Sequence, residues 1–180
     1  MANYKNIIPF IKMSEGGWTN DPFDAGGETN KGITYKVWKT IFGDTHDRFI
    51  AMKDEDWETI FKTLYWDKIL GDQINSQRIA DAIVDWVWGS GQHYPECDVQ
   101  DILIHAFEQH IGEDGVFGPA TIKSMNSVDE EKLYQAIIVK RFWYLDQVVI
   151  AHPTNQRFIN GWRNRMYNLI KFENPNYKPI

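Results

Sequence analysis

The sequence predicts a mainly α fold with one short β-hairpin or loop near its N-terminus. Apolar residues recur at helical spacing along most of the chain, and the breaks between these runs carry helix caps, glycine or proline. Only the stretch from Gly16 to Ile33 is punctuated too densely for a helix. Ile7, Ile8, Phe10 and Ile11 form the first apolar face, leading into Glu15-Gly16-Gly17, where the paired glycines are expected to end the helix. The glycine-rich stretch suits tight turns or a very short hairpin. Thr34 then caps a helix through Val37, Trp38 and Ile41.

Behind the acidic turn Asp54-Glu55-Asp56, the residues Trp57, Ile60, Phe61, Leu64 and Tyr65 recur at i, i+3, i+4, i+7 and i+8, an amphipathic helix. Ile79, Ala80, Ile83, Val84 and Val87 mark a helix that is apolar on most of its circumference, hence central, ending at Gly89-Ser90-Gly91. Val99, Ile102, Leu103, Ala106 and Phe107 repeat the pattern, and Pro119 suits the first position of a further helix. Ser127 and Glu130 have the spacing of a capping box for a long helix carrying Leu133, Ile137, Phe142 and Leu145. Phe158, Ile159, Trp162, Met166 and Leu169 give the last, so seven or eight helices are expected.

Composition narrows the classes of function. At 180 residues, 43% hydrophobic and with eight tryptophans, the chain can bury a core, and it contains no apolar run long enough to span a membrane. A net charge of −6 gives no electrostatic footprint for nucleic acid, so a polymeric partner must be gripped in a groove. Cys97 is alone, which excludes an intramolecular disulfide. His46, His93, His105, His110 and His152 lack metal-ligand spacing and are read as surface or structural residues, so no metal or other cofactor is expected. Met1 to Lys12 lacks the apolar core and cleavage site of a secretory signal. The chain is therefore expected to be made in the cytoplasm, acting at the cell wall or in the periplasm if exported or released.

The chemistry concentrates in residues 15 to 34. A glutamate directly after a helix sits on a rigid support, and the negative end of the helix dipole favours the protonated carboxyl that a general acid needs. The loop beyond it offers Asp21, Asp24, Glu28 and Thr29, and two facing carboxyl groups are what glycoside hydrolysis requires. Spacing alone does not choose among the loop acids, each of which also suits a turn.

Glu15, Asp24 and Thr29 resemble the Glu, Asp, Thr arrangement of phage-type lysozymes. Glu15-Gly16-Gly17-Trp18-Thr19-Asn20-Asp21-Pro22, Asp24-Ala25-Gly26-Gly27 and Thr29-Asn30-Lys31-Gly32-Ile33-Thr34 are more closely similar to the bacterial and phage N-acetylmuramidases of glycoside hydrolase family 108, which include secretion activator proteins. Tyr65-Trp66-Asp67, Gly71-Asp72, Asp85 to Gly91, Asp114 to Pro119 and Gly161 to Arg165 extend the resemblance over nearly the whole chain. It implies a lysozyme-like α fold, a catalytic region over residues 1–91, a helical peptidoglycan-binding region over 92–172 packed on it as one body, and a tail over 173–180. It also implies a monomer whose partner is peptidoglycan and whose activity is cleavage of the MurNAc–GlcNAc β-1,4 bond. Glu15 falls on the family's catalytic glutamate. Asp24 is read as its partner, Thr29 as a water-positioning residue, and Trp18, Asn20, Glu28, Asp85 and Trp86 as substrate-binding residues.

The chain departs from the family at Ala25, where proline is common, and in the tryptophans of Trp86-Val87-Trp88-Gly89-Ser90-Gly91. These changes bear on the shape of the sugar subsites rather than on the catalytic step. Aromatic faces stack on sugar rings, yet core packing is the expectation for two of Trp18, Trp86 and Trp88. Arg141, Arg163 and Arg165 either pair with acids of the C-terminal half, the commoner role, or bind muramyl carboxylates and peptide stems. A binding or secretion-accessory protein of the same fold, or a lytic transglycosylase, are the alternatives to a muramidase.

Overall fold

A computed structural model describes residues 1–13, 15–20 and 27–177. The chain divides into two compact units, Tyr4–Lys68 and Met1–Asn3 together with Ile69–Ile180. Both are built mainly from helices. No helix among the described residues is long and apolar enough to cross a membrane.

The unit Tyr4–Lys68 opens with α1 (Tyr4–Met13), whose Ile7, Ile8, Phe10 and Ile11 are buried as the apolar spacing predicts. The helix ends at Met13, before the glycine pair, and neither Gly16 nor Gly17 takes a positive φ. The glycines therefore do not cap α1. The Glu15 N–H instead donates to Lys12 O at 3.2 Å, one turn back, so Glu15 follows directly on the helix.

The expected hairpin is present as β1 (Thr29–Asn30) and β2 (Ile33–Thr34), paired Thr29 to Thr34 and Asn30 to Ile33. Its turn residues Lys31 and Gly32 have φ of 49° and 79°, the left-handed pair of a type I′ turn that matches strand twist. Thr34 closes the hairpin and caps α2 (Tyr35–Phe42), its side chain accepting from the Val37 N–H. After α2 comes α3 (His46–Ile50), five residues long and too short to show a period in the sequence.

The amphipathic run after Asp54 is not one α-helix. The α-helical part, α4 (Asp54–Phe61), passes into a π-helical turn, Lys62–Trp66, closed by the Asp67 N–H donating to Lys62 O at 2.8 Å. The wider turn changes the facing of later residues, and Trp66 becomes fully buried while Leu64 and Tyr65 are only half-buried.

The second unit contains α5 (Gln77–Ser90), α6 (His93–Phe107), α7 (Pro119–Met125), α8 (Glu130–Ala151) and α9 (Ile159–Glu173). Every residue of α5 from Ile79 to Val87 is buried, which makes it the central helix, packed on α6 and α8. Pro119 takes the first turn of α7 as expected. The cap of α8 differs from the sequence reading. Asp129 accepts from the Lys132 N–H, whereas Ser127 donates to Ser124 O and stays in the preceding turn. An aspartate directly before the helix reaches the orphan amides better than a serine two residues earlier.

Two buried acids on α5 have different fates. The Asp85 carboxylate is fully buried, with Oδ2 2.5 Å from Arg141 Nη2 and Oδ1 2.9 Å from Arg165 Nε. Burial holds the Arg141 guanidinium below its ordinary value, with Asp85 opposing that shift. Asp81 accepts from Gln77 Nε2 and is pushed up to about 9, first by burial and then by the charge of Glu173, which is itself raised by burial. Asp81 thus keeps its proton at neutral pH and shares it with Glu173.

These placements give two predictions. Asp85→Ala leaves two guanidiniums in a buried site without their counter-ion, and urea unfolding should show a loss of about 3–5 kcal/mol. For Asp81 the folded value lies above the unfolded one of about 3.9. Its contribution to folding is therefore full below about pH 4 and is lost as the pH rises toward 9. Thermal melts should show Asp81→Asn gaining stability relative to the parent as the pH is raised from 5 to 9; parallel melting curves at both ends would refute the shared proton.

Candidate active site

Glu15 is half-buried at the end of α1. Its charge reaches the half-buried Tyr65 of the π-helical turn, whose hydroxyl is raised first by burial and then by Glu15. The carboxyl that the sequence singled out thus lies within electrostatic reach of a tyrosine hydroxyl that keeps its proton. The widened turn after α4 supplies that neighbour.

The chain beyond Glu15 runs alongside the hairpin. Thr19 and Thr29 form an antiparallel bridge, with N–H to O distances of 2.8 and 2.9 Å in the two directions. This bridge ties both ends of the glycine-rich loop together. Asp21 and Asp24 lie outside the described residues.

Within this bridged segment a second acid is ordered. The Trp18 indole N–H donates to Glu28 Oε1 at 2.6 Å, and His46 Nε2 lies 3.0 and 2.8 Å from the two carboxylate oxygens. The indole bond first, and His46 second, hold the Glu28 carboxyl below its ordinary value, so it is ionised at neutral pH. Trp18 is 49% exposed, and its N–H is pinned while much of its ring faces solvent. Tyr35 packs edge-on against His46 with ring centres 5.1 Å apart and donates its hydroxyl to Asp44, which pushes that hydroxyl up to about 12.

Thr29 donates its hydroxyl to Gly27 O at 3.3 Å, which leaves the oxygen able to accept a bond. Asn20 is exposed on the same segment. Asn30 is buried and anchors the hairpin, its amide donating to Phe49 O at 2.8 Å and Ile50 O at 3.0 Å at the end of α3. From α4, the buried Trp57 indole donates to Lys31 O at 3.0 Å.

The structure therefore brings Glu15, Trp18, Asn20, Glu28 and Thr29 into one unit. Asp85 and Trp86 belong to the other unit, where Asp85 is enclosed by Arg141 and Arg165 and Trp86 is 2% exposed. Of the three tryptophans weighed as sugar platforms, Trp86 is core, Trp88 is half-buried and Trp18 is the open one. Sequence reasoning missed His46 and Tyr65 as neighbours of the acids. His46 lies 18 residues from Glu28, a separation that follows no local period.

Asp101, His105 and Glu113 present ligand atoms within 4.8 Å of one another and could hold a cation. Lys140 Nζ already lies 2.8 Å from Asp101 and 3.3 Å from Asp98 and supplies positive charge there, so the group is read as a surface charge network.

Residues 8–91 match the family described as Glycosyl hydrolase 108. Over that span, a little under half of the chain, the sequence is similar to this family. Residues 94–167 match the family described as Predicted Peptidoglycan domain. The first match takes in α5, which packs in the second compact unit, so the family boundary and the division of the fold do not coincide. A solved structure described as that of Brucella abortus SagA is similar over 92% of this chain and 90% of its own, with 23% identity and a TM-score of 0.75. That likeness shows the fold, mainly α and lysozyme-like. No curated protein is similar enough to count as a match. The two family matches support a peptidoglycan-related hydrolase or binding role at the cell wall.

The tether on Trp18 is directly testable. The Trp18 indole resonance, identified by its loss in Trp18→Phe, should shift in both Glu28→Ala and His46→Ala, and more in the former because the carboxylate is the bonded partner. An indole signal unmoved by Glu28→Ala would contradict the pinned geometry.

Proposed function

We propose that the protein is an N-acetylmuramidase that hydrolyses the MurNAc–GlcNAc β-1,4 bond of peptidoglycan by carboxylic general acid catalysis. The observation that carries this reading is the placement of Glu15, just after a helix whose apolar face is buried and within electrostatic reach of Tyr65, in the span that matches a glycosyl hydrolase family.

In this proposal Glu15 protonates the glycosidic oxygen as the bond to the anomeric carbon breaks, and positive charge develops on the sugar ring. Asp24 is proposed to face that charge or to activate water on the opposite face of the ring. Thr29, whose oxygen can still accept, is proposed to orient the water. Glu28 serves in a different way: already ionised and bonded to Trp18, it fixes the indole as a platform for a sugar ring, with Asn20 alongside. Aromatic stacking on the apolar face of a sugar uses the ring and leaves the bonded N–H undisturbed.

The catalytic region is proposed as residues 1–91 and the peptidoglycan-binding region as 92–172, acting as a monomer at the cell wall. Asp85 and Trp86 act in this reading through the wall of a cavity in the second unit, with Asp85 bound to its two arginines.

Glu15→Gln keeps the shape and removes the proton, and release of reducing ends from purified peptidoglycan should fall by about 10²–10⁴-fold. Equal release by the variant and the parent would refute Glu15 as the acid. Absence of release by the folded parent would leave a binding role as the better reading.

A further inference from the structure

The unit Ile69–Ile180 contains a cavity of about 170 Å³ between α5, α8 and α9. Trp86, Tyr144, Leu145, Val148 and Trp162 supply most of its apolar wall, and Arg141 and Arg165 place two guanidiniums in the same wall. Tyr144 meets Trp86 edge-on, with ring centres 5.5 Å apart, and its hydroxyl is bonded by Ser90, so the aromatic side of the wall is fixed.

The polar groups here favour one kind of ligand. Asp85 brings one negative charge against the two positive charges of Arg141 and Arg165, and both of its oxygens are taken by those guanidiniums. Asp85 lies behind the two arginines rather than in the wall, and no carboxylate lines the cavity among the described residues. The indole N–H of Trp86, a residue only 2% exposed, finds no acceptor in the chain. Cations and an unmatched donor call for an acceptor-rich anion. A sugar would instead need carboxylates or amides able to accept from its hydroxyls, and the one acid at hand is occupied.

The volume is that of roughly six water-sized groups, enough for the six heavy atoms of an alanyl terminus. A carboxylate next to a methyl group matches a wall that is cationic at one place and apolar elsewhere. We propose that this cavity binds the carboxylate end of a peptidoglycan peptide stem, with the D-alanyl methyl against Trp162 and Leu145 and the carboxylate at Arg165. This inference rests on the reading of the chain as a peptidoglycan-acting protein. It gives the second unit a task separate from bond cleavage, recognition of the peptide rather than the glycan.

The test uses the full chain and two probes, an N-acetylated D-alanyl-D-alanine and the same peptide with its carboxyl converted to an amide, followed by indole NMR shifts. The acid should give saturable shifts below about 10 mM, and the amide should bind about tenfold more weakly. Trp162→Ala should abolish saturation. Arg165→Lys should narrow the gap between acid and amide, with a melting curve confirming that each variant is folded. Equal binding of acid and amide, saturation unchanged in Trp162→Ala, or no saturable shift by the acid would each overturn the proposal. Glu15→Gln should bind the acid as the parent does, so the two readings fail separately. Peptide binding without glycan cleavage would sink the hydrolase, and cleavage without peptide binding would sink the cavity.

Discussion

The buried amide of Asn30 is the interaction on which the candidate site depends. A hairpin of two residues per strand has too few ladder bonds to persist alone. Asn30 fastens it to the last carbonyls of α3, and Trp57 fastens its turn to α4 from the other side. Those three bonds fix the strand that carries Thr29, the bridge to Thr19, and through that bridge the segment bearing Trp18. A side-chain amide satisfying two helix-end carbonyls also meets the demand that buried polar groups be paired. The positions of Glu28 and Trp18 follow from a structural bond that touches neither of them.

Four acids of the chain show how environment divides one chemistry into several roles. Glu28 is ionised because an indole N–H and a histidine bond to it, and it orients an exposed aromatic ring. Asp85 is held within the core by two guanidiniums and stabilises the packing of α5 against α8 and α9. Asp81 keeps its proton at neutral pH because burial, and then the charge of Glu173, push it up to about 9. Glu15 follows a helix end, and its charge reaches the half-buried Tyr65; it is the acid proposed to deliver a proton to a substrate. Charge placement thus separates the proposed catalytic role from structural ones more sharply than residue type does.

The parts of the fold legible in the sequence were those fixed by neighbours along the chain. Ile7 to Ile11, Trp57 to Phe61 and Ile79 to Val87 declare helix faces because burial follows a period of 3.6, and Thr34 and Pro119 mark starts because caps act within one turn. The cap of α8 was misplaced by two residues, since Asp129 and Ser127 are both good caps and only the helix start decides between them. The glycine pair after Glu15 was legible as a break but not as a cap, because the helix had already ended at Met13. The π-helical turn was invisible, since one added residue per turn leaves an amphipathic pattern nearly intact. In the site, Glu15 was legible from its motif, whereas the bond of His46 to Glu28 and those of Arg141 and Arg165 to Asp85 join residues 18, 56 and 80 positions apart. No local pattern encodes such pairs. The expected pairing of arginines with acids of the C-terminal half holds for Arg163, which meets Asp146, whereas Arg141 and Arg165 both pair with Asp85, an acid from before that half.

In the proposed reaction, water guided into a site around Glu15 completes the cleavage of the glycan. Mass spectrometry of the soluble products from purified peptidoglycan tests it most directly. Hydrolysis would release fragments ending in a hydrated, reducing N-acetylmuramic acid. Fragments one water lighter, with an anhydro terminus, would contradict it.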